Sequence, residues 1–224
     1  MLGDRLNTLN GSHQVYIQDA SDINIDNVSI SGAALKCMWL NGQCQRIKGN
    51  VRTTNCNQTS LAITGTASLP ASDIEIELIS TNENISGTLD QGLGSALWIS
   101  SAQMVKIRGR CGNSSSASSY VHGVYLGSTC TDCQIEMRVG QPSATYGGRC
   151  IYGDGFAYSN RNRIDRSEIL THGSIVGNFI SYDAVGHRVI MGGGGHILLL
   201  VYGMSVTHVG IQKILCLGHL LGGE

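Results

Sequence analysis

Charge is scarce in this chain. Asp, Glu, Lys and Arg make up 14% of its 224 residues, against about 25% in an ordinary soluble domain. Fifteen Lys and Arg nearly cancel sixteen Asp and Glu, leaving a net charge of −1. That balance argues against a nucleic-acid binder with a basic face and against a polyanionic disordered tail. No apolar run reaches the roughly 18 residues that suggest a membrane span. The nearest, His196 to Leu221, is interrupted by Gly203, His208, Gln212, Lys213 and Gly218, so no membrane insertion is expected. The start, Met1 to Asn7, has neither a basic n-region nor an apolar h-region, so it does not read as a signal peptide. Proline occurs twice, aromatics are 5%, and no segment carries a convincing helical stripe. What remains is 42% hydrophobic residues and 30 glycines, with a polar complement of Ser, Thr and Asn that favours turns and strand surfaces. The composition is that of a glycine-punctuated, β-rich chain of one domain or two small ones.

Eight cysteines invite a disulfide or metal reading. Cys37, Cys44, Cys111, Cys130, Cys133 and Cys150 stand where Ile, Val or Ala belong in hydrophobic patterns, so they read as core thiols. Cys130-Thr131-Asp132-Cys133 is a CxxC, but no second pair or nearby His completes a zinc site. No cluster of three aspartates marks a calcium site. Gly192 to Gly195 follows no strand–helix arrangement that would cradle a phosphate. No cofactor and no metal are expected.

The informative feature is a repeat. Val15-Tyr16-Ile17, Ala20 and Ile23-Asn24-Ile25 set a template. It returns as Met38-Trp39-Leu40, Cys44 and Ile47-Lys48-Gly49, then as Leu61-Ala62-Ile63, Ala71 and Ile74-Glu75-Ile76. Further copies are Leu97-Trp98-Ile99 with Val105-Lys106-Ile107, and Val124-Tyr125-Leu126 with Cys133-Gln134-Ile135. Cys150-Ile151-Tyr152 with Asn162-Arg163-Ile164 is looser, and Phe179 to Met191 weaker still. Positions 25, 49, 76, 107, 135 and 164 become equivalent. Each unit holds short strands with period-2 alternation, split by turn residues. Such a unit cannot close a core alone, whereas stacked copies bury one continuously. Three short strands per turn, stacked about 4.8 Å apart, give an all-β, single-stranded right-handed parallel β-helix. This solenoid has about six to seven rungs over residues 12–191, after a lead-in at 1–11. An antiparallel sandwich is the competitor, but it has no reason to repeat one in–out register five times.

On these units, such as Val124-Tyr125-Leu126-Gly127 leading to Cys133-Gln134-Ile135, the chain resembles the pectate-lyase-like β-helices. Within them it resembles the tailspike proteins of bacteriophages. The resemblance covers roughly residues 12 to 191. It implies a homotrimer on a virion tail, or otherwise extracellular, that binds and in some cases depolymerises a bacterial surface polysaccharide.

If the coils stack, so do their outward residues. Tyr16, Trp39, Ala62, Trp98 and Tyr125 form one column, with four rings in five positions. Tyr152 extends it unless a one-residue shift turns Ile151 outward instead. Exposed flat rings suit sugar rings; they equally suit a subunit interface or a covering loop. Two further columns read Asn24, Lys48, Glu75, Lys106, Gln134, Arg163 and Asp26, Asn50, Glu77, Arg108, Glu136, Asp165. Opposite charges meet along both, which is the role expected of most of them. Glu136 over Asp165 breaks the alternation. Paired carboxylates are what a glycosidase needs, and their spacing sets a retaining or inverting course. A solvated pair neutralised by Arg108, Arg138 or Arg163 is the competing reading. Asp154, Asp90, His122, His172 and His187 are thinner candidates for acid or base, and none has a fixed partner in the sequence.

The pattern begins within about a dozen residues of Met1, which suggests a section of a longer protein or one whose partners cover its ends. After Gly195 the turns vanish and no acidic residue occurs until Glu224. This apolar tail, 192–224, is set apart from the repeat. Three functions remain open: a tailspike-like polysaccharide binder and possible depolymerase, a secreted enzyme of pectate-lyase or polygalacturonase type, and a purely structural solenoid.

Overall fold

The computed structural model describes residues 13–81, 93–111, 122–127, 129–140, 149–153, 161–169, 175–176 and 181–185. At 149, 165–166, 168–169, 175–176 and 181–185 it describes the backbone alone. The lead-in, the apolar tail, Asp90, Asp154, His172 and His187 lie outside these residues. The described residues hold strands and no helix, hence no helix long and apolar enough to cross a membrane.

The chain winds as a parallel β-solenoid. One sheet is built from β1 (His13–Gln18), β3 (Lys36–Asn41), β5 (Leu61–Thr64), β7 (Leu97–Ser100), β9 (His122–Leu126), β11 (Arg149–Gly153) and β13 (Ile175–Val176). The other contains β2 (Ser21–Ser31), β4 (Gln45–Thr54), β6 (Ala71–Thr81), β8 (Ala102–Cys111), β10 (Gln134–Val139), β12 (Arg163–Ile169) and β14 (Ser181–Val185). Strands neighbour each other in strict coil order within each sheet, and every pairing between strands is parallel. The equivalence drawn from sequence is the observed register: Ile25 pairs Gly49, then Ile76, Ile107, Ile135 and Ile164 in turn. Met38, Leu61, Leu97 and Val124 form the matching inward row of the first sheet and are all buried. Burying each such side chain contributes about 1.5–3 kcal/mol, and the rows meet in one continuous core.

Each early coil carries two strands where three were expected. The alternation in Ala71–Thr81 runs on through Ile74, Ile76, Leu78 and Ser80, all facing inward. No turn residue interrupts it, so two expected short strands form one long one. Bends replace breaks. Asn27 adopts φ +51° where the β2–β4 register shifts. Gly109 adopts φ +125°, where a Cβ would lie 2.0 Å from the Leu78 carbonyl oxygen.

In the first two coils, residues 32–35 and 55–60 close the third side without a strand, and here the cysteine reading needs correction. Cys37 is no free core thiol; it is disulfide-bonded to Cys56, with 5.8 Å between Cα atoms. The bond ties the start of β3 to the loop after β4, a geometry the hydrophobic pattern does not encode. Cys44, Cys111, Cys130, Cys133 and Cys150 are free and buried, as core thiols should be. Burial pushes the Cys150 thiol up to about 12. Its hydrogen-bonded neighbour Cys130, with burial, raises Cys133 well above the ordinary thiol range. Cys133 therefore stays protonated, which disfavours thiolate chemistry at that sulfur.

The corner between the two sheets has its own signature. Asp22, Arg46, Asp73, Met104, Asp132 and Arg161 each stand one residue before the same inward row, Ile23, Ile47, Ile74, Val105, Cys133 and Asn162. All six adopt left-handed φ between +47° and +60°. A non-glycine residue there costs about 1 kcal/mol. Side-chain partners offset part of it: Arg46 holds both oxygens of Asp22, at 2.6 and 2.8 Å, and Arg161 likewise clasps Asp132, at 2.7 Å through Nε.

Candidate functional site

The aromatic column is real as a register. Tyr16 pairs Trp39, Trp39 pairs Ala62, Ala62 pairs Trp98, and Trp98 pairs Tyr125. Tyr152 continues it beside Tyr125, because Ile151 is the buried residue and Tyr152 the half-exposed one. The expected alternative, Ile151 outward, is not what forms. Tyr16 is the most open ring, 38% exposed, and Trp39, Trp98 and Tyr125 are half-buried.

These rings do not lie as a flat, empty platform. Tyr16 packs tilted on Trp39 at 5.0 Å between centroids, and Tyr125 on Tyr152 at 5.8 Å. A histidine three residues before the tyrosine joins each pair. His13 sits edge-on to Trp39 at 4.9 Å, and His122 lies 4.8 Å from Tyr152. The signal was present as His13-Gln14-Val15-Tyr16 and His122-Gly123-Val124-Tyr125, a repeated His-x-Val-Tyr that the sequence reading passed over. His122 is buried at 2% exposure, so its place is in this packing rather than as an open base. Between the two tryptophans, Ala62 leaves a gap, and Lys36 fills it. Its ammonium lies 4.2 Å from the Trp39 ring centroid and 5.6 Å from that of Trp98, with the residue only 5% exposed. Cation–π contacts of this kind are strongest when desolvated.

A further column flanks the rings. Gln18, Asn41, Thr64 and Ser100 are in register, and hydrogen bonds link the first three through Trp39 and Tyr16. Trp39 Nε1 donates to Thr64 Oγ1 at 2.7 Å, and the Thr64 hydroxyl to Asn41 Oδ1 at 3.0 Å. Asn41 Nδ2 donates to the Tyr16 hydroxyl at 2.9 Å, which donates to Gln18 Oε1 at 2.7 Å. Sheet geometry puts rings and amides side by side on one face, the pairing of apolar and hydrogen-bonding groups that a sugar presents in turn. No protein-family model, curated protein or solved structure matches this chain. The site is therefore argued from its own geometry.

On the second sheet, Asn24, Lys48, Glu75, Lys106, Gln134 and Arg163 stack in the order expected. Asn50, Glu77, Arg108 and Glu136 do so beside them. One ion pair on this face crosses between columns: Arg108 reaches Glu75 at 3.2 Å. The candidate carboxylates fall on an irregularity. Ile135 pairs Ile164 and Arg138 pairs Glu168, so three residues of β12, 165–167, face two of β10, Glu136 and Met137. Asp165 belongs to β12 by its backbone, and its side chain lies outside the described residues. The bulge is held by Ser167, whose hydroxyl accepts from the Met137 N–H and donates to the Ile135 carbonyl, each at 3.1 Å. The structure thus replaces one-to-one stacking of Glu136 on Asp165 with a bulge at that step. Two surface grooves, of about 260 and 220 Å³, contain neither Glu136 nor any ring of the column.

Proposed function

We propose that this chain forms a phage tailspike-like solenoid, and that its first sheet binds a bacterial surface polysaccharide. The observation that carries the reading is the register of Tyr16, Trp39, Trp98 and Tyr125 beside the amide and hydroxyl column. Partly exposed rings next to fixed hydrogen-bonding groups match the alternating apolar and hydroxyl surfaces of a sugar chain. The Cys37–Cys56 disulfide suits an oxidising, extracellular setting such as a virion surface. A trimer is the assembly this reading carries with it. Cleavage is its further step, with Glu136 and Asp165 as the carboxylates.

A glycan microarray followed by oligosaccharide sizing tests both parts. Retention on bacterial polysaccharides is expected, and retention without shortening removes the enzymatic step. Undiminished shortening in both Glu136→Gln and Asp165→Asn would remove those two from catalysis. A second reading, a ligand-free solenoid whose ladders only hold it together, is favoured by Lys36 filling the Trp39–Trp98 gap. Trp39→Ala with Trp98→Ala separates them: lost retention supports the binding face, whereas unchanged retention with a changed oligomer assigns the rings to packing.

A further inference from the structure

We infer that the occupant of this face is a neutral glycan, free of carboxylate and sulfate groups, seated over Tyr16, Gln18, Trp39 and Asn41 in the first two coils. The inference rests on the polysaccharide reading and adds the class of sugar and the part of the column that holds it.

The hydrogen-bond chain has one direction. From the Trp39 indole through Thr64, Asn41 and Tyr16, each group donates to the next, and the chain ends on Gln18 Oε1. Thr64 and Tyr16 both give and receive, so their hydroxyls are committed and the two rings are fixed in orientation. Gln18 is exposed, and its amide N–H groups meet no acceptor among the described residues. Fixed rings with an open neutral donor beside them lose little freedom on binding.

Charge selects the class of sugar. None of β1, β3, β5 and β7 contains an acidic residue. Their one lysine, Lys36, is buried with its ammonium turned over Trp39 and Trp98. Burial, then Lys36, holds His13 below the ordinary histidine range, which leaves that ring neutral at pH 7. The nearest acid past β1, Asp19, accepts the Gln43 N–H at 2.8 Å. An anionic sugar placed here would lose water and gain no exposed cation from these four strands, an unfavourable exchange. The exposed Lys48 and Arg108 lie on the other sheet, in register with Glu75 and Glu77.

Exposure narrows the seat. Ala62 is fully buried and Lys36 occupies the space above it, whereas Tyr16, Gln14 and Gln18 are open to solvent. Contact therefore concentrates at the first two coils.

The test uses the full chain on one array. It carries oligosaccharides of glucose, galactose and N-acetylglucosamine beside glucuronate- and galacturonate-containing chains of matched length. Retention of neutral chains, insensitive to salt, is expected. Gln18→Ala should weaken it roughly three- to tenfold, the worth of one neutral hydrogen bond, and Tyr16→Ala should weaken it more. Arg108→Ala should leave it unchanged, with melting curves confirming that each variant folds. Preferred, salt-sensitive retention of the uronate chains would overturn the neutral class and leave the polysaccharide reading standing. Neutral retention indifferent to both Tyr16→Ala and Gln18→Ala would overturn the seat. No retention of any chain would remove both the inference and the reading beneath it.

Discussion

On the outer face of the first sheet, one coil meets the next through rings, amides and hydroxyls; on the second, through charges. Both faces obey the same rule, that equivalent residues of successive coils lie against each other, and they solve it differently. Rings and amides tolerate stacking on their own kind, so Tyr16 lies on Trp39 and Asn41 beside Gln18. Like charges repel, so Lys48, Glu75 and Lys106 alternate in sign, as do Glu77, Arg108 and Glu136. A charged ladder in water contributes little per pair and presents mainly hydrated groups. An aromatic ladder leaves apolar edges at the surface, and those are what a ligand can cover. That difference favours the first sheet as the proposed binding face, although the strands of the second carry most of the charged residues.

Substitutions can break this contrast or sharpen it. The largest effect belongs to the interior that both faces share. Ile76→Ala, at a fully buried position, should cost about 2–5 kcal/mol. Both faces should then unfold together in one denaturation curve followed by far-ultraviolet circular dichroism and by tryptophan fluorescence; separate transitions would make the sheets independent. Next is the disulfide. Cys37→Ser with Cys56→Ser opens a cross-link of 19 residues and should cost about 3 kcal/mol, with the tryptophan signal beside β3 changing first.

The histidine prediction bears on the first face alone. His13 is held below its ordinary value by burial and then by Lys36, so folding favours the neutral ring. Its contribution is full above the unfolded value of about 6.5 and is lost as pH falls through that value toward the lower folded one. A melting series from pH 7.5 to pH 5 should show the decline, and His13→Gln should flatten it. The smallest effect belongs to the corner. Met104, 48% exposed, occupies the place of an arginine in a column that otherwise reads Asp22, Arg46, Asp73, Asp132, Arg161. Met104→Arg should set a cation between Asp73 and Asp132 and raise the melting midpoint by about 1–2 °C at low salt. No change would mean that the corner is set by backbone alone.

Much of the fold was legible because a solenoid writes its register into the sequence. Ile25, Ile76 and Ile135 are far apart along the chain, yet one spacing predicts that they stack, and they do. The same logic placed the rings of the column. What escaped it was side-chain traffic between columns. Trp39 bonding Thr64, Arg108 reaching Glu75 and Lys36 turning back over the tryptophans depend on rotamers and twist, which periodicity does not carry. The bulge opposite Glu136 escaped for a related reason: Ser167 in β12 looks like any outward serine until an extra residue turns it inward to replace lost ladder bonds. The Cys37–Cys56 bond joins a strand to a loop, and only the fold brings the two together.

The left-handed corner has an architectural consequence. Because Asp22, Arg46, Asp73, Met104, Asp132 and Arg161 reset the backbone to the same direction at every revolution, each revolution starts afresh, whatever length of loop preceded it. A whole revolution is thus an interchangeable part. Excising residues 46–72 would bring Asp73 directly after Gln45, corner for corner, and yield a shorter rod of unchanged pitch. Its surface would then be dictated by which parts were kept and in what order.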